Sequence, residues 1–584
     1  MSAEAEPRYT GSEKDSRKGN QGIMKKSLRK PLALLLCLTL LGALAAACGG
    51  SGGSQQPGGD AASSVPKGFD AMKLYKYDPP ITLTFARQVG PDVKFKYDET
   101  LEDNVFTRWL EEKMGIKIDL LWTTPTTNDA YKTKLMLSLS AGEELPDFLT
   151  VPAEFVHDLI DSGKFRPVDD LFEQYASEKW KAAMDEVQNV WLPYKRDGRA
   201  YAIPMIESSL IHDDVMWIRQ DWLEKLGLQA PTNLEELERV MDAFVNGDPD
   251  GNGVKDTIAV AAAGKNVKYN YTSWLGLNGV YGALNTYMSV WHKNEDGDIV
   301  YGTTTPQMKD ALALTKDWID KGYLHQEFGI HDEVKAIELF TSGKAGIAFA
   351  ASWSYDWPFN EVEKNIEGAK VWPYPLPNGP DGTPGQIGNA LNHWLVTLIN
   401  KDMEHPEALF MYQNYMYEHY EDPAVGSEFE HGFAKGYDWD IVDGEVVTGG
   451  DVPGGSVDPQ LILLKPATPS KHIRTLAGLA EGKEPTTPYE IKRSKTAKQT
   501  MESARIVVSQ TEHTIVNLFT GAPTPTMREK QEYLDKLEAE MYSKIIYGRE
   551  PIDYFDEWVK TWYEQRGEQI TQEVRQWYAE AGGE

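Results

Sequence analysis

Between Ile81 and Val151 the apolar residues change their spacing four times, and few architectures accept that pattern. Ile81, Leu83 and Phe85 in ITLTFA alternate like a half-buried strand. In LEDNVFTRWLEEKMG, Val105, Phe106, Trp109 and Leu110 instead share one helical face, which Gly115 ends. Ile116, Ile118, Leu120 and Trp122 alternate again. Tyr131, Leu135 and Leu139 return to helical spacing and close on Gly142. LPDFLTV reads as a short buried strand, followed by a helix over Ala153–Ser162. This strand–helix–strand–helix–strand order predicts a parallel sheet with helices on both faces. Beyond GRAYAIPM the chain is richer in helix. Ile218, Trp222 and Leu226 fall on one face with Gly227 as cap, and Thr232-x-x-Glu235 reads as a capping box. The C-terminal third is mostly amphipathic helix, and no internal repeat is present.

Ahead of this body, Lys25, Lys26, Arg29 and Lys30 precede an apolar run from Leu32 to Ala47. Small residues Ala45–Ala47 then lead into Cys48. This is the n-region, h-region and cleavage pattern of a secretory signal over residues 1–47, and the run is shorter than the ~20 residues a spanning helix needs. MKKSLRK begins a signal of ordinary length, so Met24 is the expected start. A cysteine after the cleavage point resembles a bacterial lipobox, whose thiol is acylated, although Ala45 stands where leucine is usual. The alternative is an ordinary signal that happens to contain a cysteine. Residues 48–68 form a Gly/Ser-rich tether. The expected location is extracytoplasmic, lipid-anchored to the cell membrane.

The net charge is −30, and it becomes −34 without residues 1–47, which carry eight basic and four acidic residues. Such a surface repels nucleic acid, which is excluded as a partner. The two cysteines are Cys37 and Cys48, so the body has no disulfide framework, thiol catalysis or Cys-ligated metal. There is no HExxH; His325 and His331 lie six apart without helical register. No nucleophile elbow or phosphate loop occurs either, and no carboxylate pair is singled out for glycoside hydrolysis. The reading is a non-enzyme.

DPDGNGVKDT is the sharpest local signal. Asp248, Asp250 and Asn252 occupy positions 1, 3 and 5 of an EF-hand-like loop, with Gly253 at the sharp turn. Val254 offers a carbonyl at position 7, and Asp256 stands at position 9. Ala259 replaces the usual glutamate at position 12, so water or another segment completes the shell. A structural Ca2+ is expected; the alternative is a solvated turn.

The chain holds 17 tryptophans and 28 tyrosines. Trp109, Trp222, Trp318 and Trp558 lie on amphipathic helices and read as core. Others sit among glycines and prolines: Trp274, Trp353, Tyr355, Trp357, Trp372, Tyr374 and Trp394. Such rings stack on the apolar face of a pyranose, and a cleft lined by them is a carbohydrate site by default.

With these residues in view, the body resembles the extracellular solute-binding proteins of family 1, the lipoprotein receptors of carbohydrate ABC importers. It is most similar to the long, calcium-containing group that includes alginate-binding proteins and LipO-type lipoproteins. The markers are LPDFLTV, GRAYAIPM, WIRQDWLEKLGLQAPTNLEEL, DAFVNGDPDGNGVKDTI, ELFTSGKAGIAFAASW, KDMEHPEALFMYQNYM and KIIYGREPIDYFDEWV. The resemblance implies an α/β, two-lobed periplasmic-binding-protein-like fold (type 2) with a helix-rich C-terminal part. Lobe one would comprise residues 69–205 with a returning segment at about 385–440. Lobe two would comprise 206–384, carrying the calcium loop, with C-terminal helices at about 460–584. The implied function is capture of an oligosaccharide between the lobes by a monomer and delivery to the permease transmembrane subunits. Trp353 leads the implied ligand contacts, followed by Trp274, Trp394, Tyr374 and Trp357, then Gln88, Glu207 and Arg219. A polysaccharide-degrading surface enzyme, or a binder of peptides or other non-sugar solutes, remain the alternatives. A basic patch of Arg87, Lys94 and Lys96 bears on acidic sugars.

Overall fold

In the computed structural model, which describes residues 65–582 apart from 91–92, 127–129, 188, 208, 266–274, 389–394 and 464, the first strand Ile81–Val89 pairs in parallel with Ile116–Pro125. The signal with Met24, Cys48, Trp274 and Trp394 lie outside the described residues. The helix Val105–Met114 joins the two strands and buries Phe106, Leu110 and Met114. Asn104 caps it by accepting from the Phe106 and Thr107 backbone N–H groups, which satisfies donors that a helix start leaves orphaned. Gly115 ends it with φ 66°, and a Cβ there would sit 2.2 Å from the Tyr77 carbonyl oxygen. Glycine is required on both counts.

The third strand, Phe148–Pro152, does not extend this parallel pair. It pairs antiparallel with Leu395–Ile399, which also holds Ile203–Pro204. The predicted single parallel sheet is therefore corrected to a parallel pair beside a three-stranded antiparallel sheet. Periodicity reveals that a segment is a strand but not which edge it takes. A later five-residue apolar strand fills this one, and Asp147 links the sheets: its Oδ2 accepts from Thr84 N and Oγ1 at 2.7 and 2.8 Å. Phe85 stacks on Phe148 at 4.8 Å across the same seam.

A second sheet has the order Val371–Tyr374, Asp214–Arg219, Ala345–Ala351, Ile258–Val260, antiparallel except for the last pair. Every residue of its two central strands is buried. The small residues of AGIAFAA suit a strand covered on both faces. Ile218 therefore belongs to a strand rather than a helix; the helix spans Gln220–Leu226 and closes on Gly227 at φ 67°. The next helix, Leu234–Asn246, starts one residue later than the sequence implied. Asn233 accepts from Glu236 N, while Thr232 donates to Glu236.

The cores sort by chain segment. Two clusters draw on residues up to Ile206 and on 396–463, and two on Val215–Leu376 and on 473–578. Each lobe is thus built from two pieces of chain. Ile462 and Leu463 pack into lobe one and Ile473 into lobe two, so the chain passes to lobe two after Leu463. The C-terminal helices Pro525–Ile546, Tyr554–Trp562 and Glu568–Glu580 complete lobe two. They bring Met541, Tyr542, Trp558 and Ile570 against a core that includes Trp318 and Phe349. Burying each such side chain contributes roughly 1.5–3 kcal/mol. Trp222, Trp318 and Trp558 are buried in this core. Among the described residues, no helix is long and apolar enough to cross a membrane.

Candidate functional site

Where the chain crosses between lobes, separate segments are tied together. Ser209 N donates to Pro469 O at 2.8 Å, Ser470 N to Glu186 Oε2 at 2.8 Å, and Met205 N to Leu395 O at 3.0 Å. Beside these crossings lies a cavity of about 830 Å³, inside the roughly 300–1,000 Å³ range of small-molecule sites. It opens at the C-terminal ends of the two parallel strands; the first contributes Arg87 and Gln88, and Thr126 follows the second. Ligands of open α/β sheets gather at such strand ends. The crossing segment supplies Ile206, Glu207 and Ile211, and the stretch Asp458–Ala467 closes another wall.

The wall is mixed. Phe85, Val93, Leu395, Leu461 and Ile462 give apolar surface; Arg87, Gln88, Thr150, Glu207, Asp458, Gln460 and Lys465 give hydrogen-bonding groups. Burial lowers the Arg87 pKa, because its guanidinium is partly shielded from water. Lys96 is directed elsewhere: its Nζ donates to Gly436 O at 2.6 Å and Pro453 O at 3.2 Å.

Of the residues singled out from sequence, Gln88 and Glu207 line this cavity. Trp353 is not among the lining residues, and its ring is set edge-on to His212 with centroids 6.2 Å apart. Enclosure lowers the His212 pKa, and the charge of Glu207 opposes that shift. Trp357 is 59% exposed on the turn Tyr355–Phe359. Tyr374 lies in the edge strand of the lobe-two sheet opposite Met216, where its hydroxyl bonds Gln220. Arg219 is 3% exposed. Its Nε and Nη2 bond both Asp221 oxygens at 2.8 and 2.7 Å, and its guanidinium lies 4.7 Å from the Trp222 ring centre. The structure thus puts Tyr374 and Arg219 in lobe-two packing, outside the lining of this cavity, because each side chain is held by a partner on the adjoining helix. Trp274 and Trp394 fall outside the described residues; Leu395, next to Trp394 in the chain, lines the cavity.

The wall Asp458–Ala467 was not legible. SVDPQLILLKPATP carries neither strand nor helix period, and Pro459 and Pro466 break any regular element. The apolar run Leu461–Leu463 was the one available signal.

In lobe two, the turn after Asn246 gathers the acidic loop. Asn252 Nδ2 donates to Asp250 Oδ2 at 2.6 Å and Asp256 Oδ1 at 3.1 Å, and Gly253 N bonds Asp248. Asp248, Gly251 and Gly253 all have positive φ, which curls the chain inward. Lys225 bonds the carbonyls of Asp248 and Pro249, and Lys344 pairs with Asp256, holding its carboxyl below the usual carboxylate range. The donors are all oxygen and fit Ca2+ chemistry. Among the described residues, however, the three carboxylates do not all come within 4.8 Å of one another.

Two α/β lobes, each assembled from two chain segments, with a cleft at strand ends and crossings, define the class of two-lobed binding proteins. Residues 95–418, just over half of the chain, match the family described as bacterial extracellular solute-binding protein, and the chain belongs to that family. It is similar to the fructooligosaccharide ABC transporter substrate-binding protein FusA of Streptococcus pneumoniae, 29% identical over 311 residues, covering 50% of this chain and 54% of that protein. The polygalacturonan/rhamnogalacturonan-binding protein YtcQ of Bacillus subtilis is 27% identical over 277 residues, covering 44% and 50%. The chain thus spans about half the length of the curated relatives it matches. In fold it resembles the HMO-binding, ABC-transporter-associated solute-binding protein of Bifidobacterium longum infantis (TM-score 0.62, 15% identity, covering 86% of this chain and all of that one). It also resembles alginate-binding protein AlgQ2 without calcium ion (TM-score 0.53, 18% identity, 87% and 99%). These relatives are binding proteins rather than enzymes.

Proposed function

We propose that this chain is the extracytoplasmic receptor of a carbohydrate ABC importer, capturing an oligosaccharide between its lobes and delivering it to the transmembrane permease subunits. In this reading it is a monomer held at the membrane by a lipid on Cys48. The cleft carries the proposal: about 830 Å³ with aliphatic surface facing Arg87, Gln88, Glu207, Asp458, Gln460 and Lys465. A sugar presents an apolar C–H face and a rim of hydroxyls, and this wall offers a match for each. Gln88 and Glu207 are the proposed hydroxyl partners, Trp353 is set edge-on to His212, and Trp274 and Trp394 are the proposed stacking rings. A ligand touching both lobes favours the closed form, since only there are all contacts made.

A thermal-shift screen with neutral, acidic and amino oligosaccharides is expected to show stabilisation by one class. Gln88→Ala and Glu207→Gln should then weaken calorimetric affinity by roughly 5–100-fold, the loss of one or two hydrogen bonds. Unchanged affinity in both would remove this cleft from consideration. Release of new reducing ends from a polysaccharide would favour an enzyme, and stabilisation by peptides alone a non-sugar binder.

Calcium is proposed for the Asp248 loop, held by Asp248, Asp250, Asn252, the Val254 carbonyl and Asp256. When bound it supplies the charge that offsets neighbouring carboxylates, which the two lysines balance only in part. Ca2+ added at about 100 times its Kd to chelator-treated protein should stabilise it by about 2.7 kcal/mol. Asp248→Ala with Asp250→Ala should abolish that gain; an identical response in the double variant would count against the site.

A further inference from the structure

His325, Glu327 and His331 match no metal motif in sequence, yet one short turn folds them together. A ligand atom from each (a ring nitrogen of either histidine, a carboxylate oxygen) lies within 4.8 Å of the others. The two imidazole centroids are 4.6 Å apart. We propose that these three residues bind a divalent transition cation of the Zn2+ class, at a site separate from the Asp248 loop.

The donor set argues for that class. Two imidazole nitrogens and one carboxylate oxygen suit Zn2+ and its neighbours, whereas Ca2+ takes oxygen alone. The ligand atoms need to close by about an ångström to reach the contacts of a tetrahedral centre. His325 Nδ1 accepts from Glu327 N, so ligation by this ring requires either that hydrogen bond to open, freeing Nδ1, or the Nε2 proton to leave.

The turn is also built in advance. His331 O accepts from both Gly264 N and Lys265 N at 3.0 Å, and Gly329 N donates to the Tyr547 hydroxyl at 2.8 Å. Glu327 N donates to His325 Nδ1 at 3.0 Å, which sets that ring beside the carboxylate. A Cβ on Gly264 would lie 2.7 Å from the Phe328 ring, so strand end and turn are in close contact. Asp332 is not a fourth ligand: it caps Lys335 N at 3.1 Å and faces Lys265 at 3.8 Å.

The independent sign is His331 itself. It is 5% exposed, and its Nδ1 has no hydrogen-bond partner. Leaving a buried polar nitrogen unpaired is costly, and such atoms are rare without a role. Glu327 is exposed, so three protein ligands leave a fourth position open to water or an incoming donor.

The test uses the full chain, stripped with chelator and titrated with ZnCl2 by calorimetry, and separately with Co2+ followed by visible absorption. One equivalent of Zn2+ is expected, with the intense Co2+ absorption of a tetrahedral site. His325→Ala and Glu327→Gln, both outside the core, should each weaken Zn2+ at least tenfold and erase the Co2+ band. Asp248→Ala with Asp250→Ala should leave both signals intact. Wild-type affinity in the His325 and Glu327 variants, a weak six-coordinate Co2+ spectrum, or loss in the Asp248/Asp250 variant would overturn the proposal.

Discussion

Replacing Glu538 by alanine is expected to cost about 3–5 kcal/mol of stability, close to the largest effect a single change has in a domain. Glu538 sits in the helix Pro525–Ile546 and is 3% exposed. Its Oε1 accepts from Ser289 Oγ at 2.9 Å and Thr303 Oγ1 at 2.8 Å, and its Oε2 from Tyr301 Oη at 2.8 Å. Alanine strands three buried hydroxyl donors and opens a cavity at once. Glu538→Gln keeps an acceptor oxygen but turns an amide toward a donor, so an intermediate loss is expected. Urea denaturation of both variants provides the check, and a loss below about 1 kcal/mol for the alanine variant would refute the assignment of this carboxylate as the key joining the C-terminal helices to lobe two.

The second large effect concerns pH. Asp214 begins the lobe-two strand that follows the first crossing, Asp213 immediately precedes it, and both are buried. Burial pushes the Asp213 carboxyl up to about 7, against a hydrogen bond from Thr514, and pushes Asp214 up to about 8, helped by the charge of Asp213. In the unfolded chain both titrate near pH 3.9. From about pH 4 to about pH 7–8 the native state therefore holds more protons than the unfolded state. The contribution of this pair to stability is full below pH 4 and falls as pH rises through that window, by at most about 1.4 kcal/mol per pH unit for each carboxyl. Asp214→Asn removes one titration while keeping the shape. Relative to wild type, the variant should gain about 1–3 kcal/mol between pH 5 and pH 7.5 in urea melts. A difference that stays flat with pH would show that Asp214 is ionised in the fold.

How far the sequence carried depended on the range of each interaction. The acidic loop was readable because its residues are ordered over ten positions and Gly253 needs positive φ. The glycine caps at Gly115 and Gly227 were readable for the same reason. The helix start after Thr232 was misplaced by one, since Asn233 and Thr232 both offer cap oxygens and geometry chooses between them. Pairing of Phe148–Pro152 with Leu395–Ile399 was not readable, because nothing local encodes a partner so distant. Gln88 and Glu207, singled out by their places after a strand and at a crossing, line the cavity. Arg219 shared that crossing neighbourhood, but Asp221 holds its guanidinium. Of the aromatic residues singled out, Tyr374 lies in the edge strand of a sheet, and aliphatic residues supply most of the described apolar lining of the cavity.

The split construction of lobe one has a consequence for how the protein is made. Its antiparallel sheet is closed by Leu395–Ile399, a strand synthesised nearly 200 residues after the neighbouring Ile203–Pro204. At roughly 5–20 residues per second, the ribosome leaves that gap open for roughly 10–40 s. During that interval the apolar edge of Phe148–Pro152 has no mate, and of lobe two only the first piece, Val215–Leu376, is made. A fragment ending before residue 399 should therefore aggregate rather than fold.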